Sequence, residues 1–377
     1  MKKESSLSEN EHFVMLALSF VEGIGIHRAN QLLSYFGSAK NIFEADKLDL
    51  ASQSYLSKNI VSQIQSKDSW KQAEIEIAFA QKNDIKIINY LHPEYPKRLI
   101  PLDDKPIVLY KKGNVHPEIK KSLAIVGTRK SSEYGGKFLE HLFEELSTIS
   151  SLAIISGMAQ GIDYKAHMLA VKKGIPTVGV MGLALNTIFP AGHIKLAKEM
   201  LEKEGGWITE TSSQDKLSPG LFPRRNRIIA AMCDALFVVE TNMKGGSMIT
   251  AQLAMDYNKE IFALPGRYND SFSKGCNHLI QNNMAALVNT PQDILTYMNW
   301  DGKSNKAVPN NIEIDFEGTV LQKKLIEIIR KTPQVDIEKL TMLAGNRYTS
   351  GEMAEALITM ELDGIIRTLP GNKYEIV

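Results

Sequence analysis

Three arginines and an asparagine crowd one short stretch, Ser218-Pro219-Gly220-Leu221-Phe222-Pro223-Arg224-Arg225-Asn226-Arg227-Ile228-Ile229-Ala230. The residues that follow are apolar, so the stretch reads as the start of a helix. Cations at that end oppose the positive pole of the helix dipole. A bound anion removes the conflict, and Phe222 offers a flat face on which a base can stack, as single-strand sites require. Some of these arginines could instead pair with acids inside the fold, and Asn226 could be purely structural.

Three other loops have the same character. Ile125-Val126-Gly127-Thr128-Arg129 ends an apolar run. A dinucleotide fingerprint needs a second glycine where Arg129 stands, so NAD binding in the usual mode is disfavoured. The guanidinium can itself hold a phosphate by paired hydrogen bonds. Ser156-Gly157-Met158-Ala159-Gln160-Gly161-Ile162-Asp163 gathers small residues before a helix, where unpaired amides favour an anion. Lys244-Gly245-Gly246-Ser247-Met248-Ile249-Thr250 sets Ser247 as a candidate helix cap, with a second hydroxyl at Thr250. Asp163 and His167 lie one helical turn apart, and with no third ligand nearby a structural hydrogen bond is the better reading. No GxxxxGK[ST] loop is present, and neither a cofactor nor a metal is expected.

These loops need a scaffold that brings them together. Apolar runs at Leu123–Val126, Ala153–Ile155, Thr177–Met181, Trp207–Thr209, Ala235–Val239, Ile261–Leu264 and Ala285–Val288 alternate with amphipathic segments such as Lys137–Ser147, Asp163–Lys173, His193–Glu204 and Met248–Tyr257. That alternation predicts an α/β, Rossmann-like, mostly parallel sheet covered on both faces, whose ligand site lies at the carboxyl ends of its strands. Residues 1–82 read as a small helical domain with a helix-hairpin-helix element at Val21-Glu22-Gly23-Ile24-Gly25-Ile26. Residues 83–298 form the Rossmann-like domain, 299–316 a polar linker, and 317–377 three helices and a hairpin turning at Pro370-Gly371-Asn372, the winged-helix pattern. The candidate recognition helix there, Ser350–Asp363, carries Glu352, Glu355, Glu361 and Asp363 but no lysine or arginine, which favours contact with protein over duplex DNA.

The bulk numbers set limits. Net charge is +1 over 377 residues, so no global field draws in a polyanion, and any affinity must come from a locally shaped site. The two cysteines, Cys233 and Cys276, have neither CxxC nor metal-ligand spacing and read as buried, reduced thiols. No apolar run reaches the length of a membrane span, and no signal-peptide core follows the N-terminus. A cytoplasmic location is expected.

The order of these motifs resembles the DNA-processing protein A (DprA, or Smf) family. Tyr95-Pro96-Lys97-Arg98-Leu99, Pro106-Ile107-Val108-Leu109-Tyr110, Pro265-Gly266 and Gly275-Cys276-Asn277-His278-Leu279-Ile280 join the four loops in the match, which spans about Ile85 to Val288. Departures are mild: Phe189-Pro190 for the usual Tyr-Pro, Gly245 where Ser or Ala is common, and Asn258-Lys259 for Gly-Arg. The resemblance implies a non-catalytic homodimer that binds single-stranded DNA, protects incoming transforming DNA and loads the RecA recombinase. Arg129, Ser156, Gly157, Gly161, Arg225, Asn226, Arg227, Gly246, Ser247 and Thr250 fall on the family's binding motifs. Gly127, Thr128, Ala159, Phe222, Arg224 and Lys244 complete the expected site. Two other readings use the same loops: a nucleotide hydrolase, for which Glu240 and Glu210 are the only strand-end acids, and a small-nucleotide sensor.

Overall fold

A computed structural model describes residues 2–116, 118–300, 318–332, 335–345, 348–369 and 373–376. Almost all of the expected linker, and the Pro370-Gly371-Asn372 turn, lie outside them. The chain divides into two units, Met1–Lys303 and Ser304–Val377.

In the first unit, helices α1 (Lys2–Ser19), α2 (Ile26–Phe36), α3 (Ala39–Glu44), α4 (Lys47–Ser52), α5 (Lys58–Ser66) and α6 (Asp68–Lys82) precede the sheet. Gly23 turns the α1–α2 connection at φ +90°. Two amides of that turn already have protein acceptors: Glu22 N donates to Gln63 Oε1, and Ile24 N to Val21 O. Arg28 Nη1 donates to the Gly23 carbonyl. The apolar core of these helices runs on to the sheet through Ile85, Ile107, Val108, Tyr110 and Trp207.

The sheet has nine strands: β1 (Lys86–Asn89), β2 (Val108–Gly113), β3 (Lys121–Val126), β4 (Leu152–Ser156), β5 (Thr177–Val180), β6 (Gly206–Thr209), β7 (Ala235–Val238), β8 (Glu260–Ala263) and β9 (Ala286–Leu287). Their order is β1-β2-β6-β5-β4-β3-β7-β8-β9. Strands β3 to β9 are parallel and match the seven apolar runs. The antiparallel β1 and β2 were not among the expected strands. Lys86 and the Lys111-Lys112 pair break the apolar run there, because antiparallel strands need not be buried along their whole length.

Helices α7 (Glu133–Leu146), α8 (Ile162–Lys173), α9 (Ile194–Glu202), α10 (Leu221–Met232), α11 (Gly246–Asp256), α12 (Lys274–Gln281) and α13 (Pro291–Tyr297) follow the strands. The two-residue period of β3 divides its side chains between two cores. Leu123 and Ile125 pack with α7, α8 and α13, whereas Ala124 and Val126 pack with α10, α11 and α12. From β3 the chain winds outward through β4, β5 and β6, then returns to β7 on the other side of β3. The switch in winding direction therefore opens a crevice beyond Val126 and Val238.

The second unit packs α14 (Val320–Lys331), α15 (Ile337–Ala344) and α16 (Ser350–Leu362) with three short antiparallel strands, β10 (Val335–Asp336), β11 (Ile366–Leu369) and β12 (Lys373–Ile376), in the order β10-β12-β11. Leu325, Leu340, Leu357 and Met360 form its core.

Candidate nucleic-acid interface

Beyond the ends of β3 and β7 lies a groove of about 850 Å³. Gly127, Thr128 and Arg129 after β3, Ala159 and Asp163 after β4, Phe222, Arg225 and Asn226 on α10, and Gly246, Ser247 and Thr250 on α11 all line it. Four segments far apart in sequence thus meet at the switch point.

Close backbone packing explains two of the glycines. A side chain at Gly127 would collide with Ile162 at the start of α8, and one at Gly161 (φ +84°) would strike the backbone of Thr128 and Arg129. The loop after β4 therefore supports the loop that carries Arg129. Thr128 N donates to the Glu240 carbonyl (2.7 Å), tying that loop to β7. Arg129 itself is exposed and, among the described residues, makes no hydrogen bond or ion pair with the protein.

The loop after β4 is less open than its glycines suggest. Ser156 Oγ donates to the Ile125 carbonyl, and the amides of Gly157 and Ala159 donate to Asp163 Oδ2 (3.2 and 3.3 Å). Burial pushes the Asp163 carboxyl up to about 6 against the pull of the Arg225 charge. His167 bonds Thr177 Oγ1 and is pushed down to about 3 by burial, which makes it a neutral core side chain. Among the described residues no His/Cys/Asp/Glu cluster could hold a metal.

Helix α10 sorts its polar residues by angle. Phe222, Arg225, Asn226 and Ile229 recur at three and four residues and share the groove face. Arg225 is buried, its Nη1 donating to the carbonyls of Gly157 and Val180. Burial brings its pKa down to about 10. Arg224 and Arg227 point elsewhere: both pair with Glu210, and Arg227 also bonds the Asp104 carbonyl. The charge conflict expected at this helix start is thus largely relieved by protein groups, with Arg225 alone of the three at the groove.

At α11 the cap is Gly245, not Ser247, and no side chain caps the helix. Gly245, Gly246 and Ser247 at its start line the groove, and a Cβ at Gly246 would meet nothing within 4 Å. Thr250 Oγ1 bonds back to the Gly246 carbonyl. Lys244, Ser156, Gly157, Gly161, Arg224 and Arg227 do not line the groove.

Three of the groove's lining residues, Leu183, Phe189 and Leu217, were not among the expected site residues. Phe189 lies 6.1 Å from Phe222 between ring centroids, tilted by 46°. Its signal was the Phe189-Pro190 departure, which marked an aromatic residue before proline. The two acids considered for hydrolysis face away. Glu240 is buried and accepts from Ser132 N and Oγ at the start of α7, and Glu210 holds Arg224 and Arg227.

Residues 86–299 match the model of the family described as DNA recombination-mediator protein A. The chain belongs to this family. DNA processing protein DprA of Streptococcus pneumoniae is 37% identical over 201 residues, 53% of this chain and 70% of that protein. Protein Smf of Escherichia coli is 33% identical over 281 residues, 74% of each chain. Among solved structures, DNA processing protein A from S. pneumoniae superposes with a TM-score of 0.55 at 29% identity, covering 72% of this chain and 98% of that one. The protein from Helicobacter pylori, whose structure addresses its single-stranded DNA binding mode, gives a TM-score of 0.50 at 28% identity, over 58% and 96%. The recombination-mediator match contains all four loops of the groove, so a role in DNA processing and recombination attaches to the domain that builds it. No described helix is long and apolar enough to cross a membrane.

Proposed function

We propose that the groove grips one strand of DNA without altering it. The observation that carries this reading is the meeting of Arg129, which has no protein partner among the described residues, with the uncapped amides of α11 in one crevice. Arg129 neutralises a phosphate, the α11 amides hold a second through the helix dipole, and bases rest on Phe222. The recessed position at the sheet edge suits a flexible strand better than a stiff duplex. By analogy with the family, the protein shields incoming DNA, presents it to the RecA recombinase during transformation, and works in the cytoplasm as a homodimer. Residues 317–377 act as a winged helix that contacts protein, in keeping with the glutamates of α16.

Fluorescence anisotropy with single- and double-stranded oligonucleotides across a salt series tests this. With these two phosphates engaged, log affinity for the single strand should fall against log salt with a slope of about −1.4. Equal affinity for duplex, or release of free base from nucleotides, overturns the reading. Displacement by micromolar mononucleotides would favour a small-nucleotide sensor. Phe222→Ala should weaken single-strand binding roughly tenfold, within the range of one lost base–aromatic stack, with the salt slope unchanged.

A further inference from the structure

One wall of the groove is the loop between β6 and α10, which contributes Leu217, Ser218 and Pro219. Helix α6 pins the first half of this loop. Glu76 accepts Ser213 N at 2.9 Å, Ser213 Oγ at 2.6 Å and Gln214 Nε2 at 3.2 Å. Gln214 Nε2 also donates to the Gln72 carbonyl on the same helix, at 2.8 Å. Glu76 is fully buried, and no cation lies within 4 Å of it among the described residues.

A buried carboxylate without a counter-ion is a poor way to stabilise a core, since packed apolar groups do as well or better. Besides the Tyr110 hydroxyl, which reaches Glu76 from β2, its donors belong to one loop, and that loop leads within a few residues to the groove wall. Glu76 lies outside residues 86–299, the part that matches the recombination-mediator family. The helical segment therefore reaches across to the family domain's site.

We propose that Glu76 is a positioning residue: it sets the Ser213–Gln214 segment so that Leu217–Pro219 stand ready as the groove wall before DNA arrives. The inference rests on the single-strand reading above. With the wall preset, binding does not have to order the loop; without Glu76, that ordering opposes each binding event.

The test uses the full chain and a single-stranded oligonucleotide, with Arg129→Ala measured alongside. Glu76→Ala should bind on the order of tenfold more weakly, the entropy of ordering a few loop residues. Its salt slope should match wild type because no phosphate contact is lost, and amides 211–219 should exchange faster with solvent. Glu76→Gln, whose carbonyl can still accept from Ser213 N, should recover most of the affinity. Ser213→Ala, a milder cut, should weaken binding roughly threefold, and it decides the matter if Glu76→Ala does not fold. Wild-type affinity in the folded Glu76→Ala or Ser213→Ala protein overturns the positioning role, as does a fall in the salt slope. If Arg129→Ala also binds as wild type, the groove reading itself fails; if Arg129→Ala weakens while the Glu76 and Ser213 variants do not, only this inference is lost.

Discussion

Arg129→Ala is expected to lower single-strand affinity about thirtyfold, roughly 2 kcal/mol, while leaving stability unchanged. Both halves follow from where the side chain stands. It is exposed at the groove and has no protein partner among the described residues, so its removal uncovers no buried group. A guanidinium on a phosphate makes charge-assisted hydrogen bonds, each contributing about 1.5–3 kcal/mol. Because one phosphate contact disappears, the salt slope should also become shallower by about 0.7. Anisotropy across a salt series, with urea denaturation alongside, checks this. Wild-type affinity in the variant would remove the central contact of the proposed site.

Arg225→Ala should fail differently. This guanidinium bridges the carbonyls of Gly157 and Val180 beneath the groove, and Asp163 feels its charge. Removal leaves two buried carbonyls without their donor and takes from the buried Asp163 the positive charge that favours its ionised form. The expected destabilisation is about 3–5 kcal/mol, the range for breaking a buried charge arrangement by deleting one member. In urea this reads as a lower midpoint at unchanged slope. Binding falls as well, because the loop after β4 supports the loop that carries Arg129. Gly157→Ala should act in the same direction, since a side chain there collides with the Arg225 guanidinium. If Arg225→Ala weakens binding at full stability, Arg225 holds phosphate directly and the structural role assigned to it is wrong.

The contrast between these arginines marks how far sequence reading reaches. The parallel strands were legible because a strand buried on both faces must be apolar throughout, and Leu123–Val126 and Ala235–Val239 are. The antiparallel strands β1 and β2 escaped the same test because Lys86, Lys111 and Lys112 interrupt them. Arg224, Arg225 and Arg227 looked alike as a cluster of cations at a helix start. Helical geometry turns neighbours about 100° apart, yet that angle alone does not say which direction faces the crevice.

The residue order by itself determined a doubly wound sheet and four loops placed at one edge of it, because strand burial and helix starts are written in local pattern. Only the tertiary structure decided which donors remain available to a ligand. Glu210 occupies Arg224 and Arg227, Asp163 occupies the amides of Gly157 and Ala159, and Arg129 and the first turn of α11 are left facing the groove. The physical reason is that a hydrogen bond saturates its donor, and Glu210 and Val180 reach theirs from loops and strands distant in sequence.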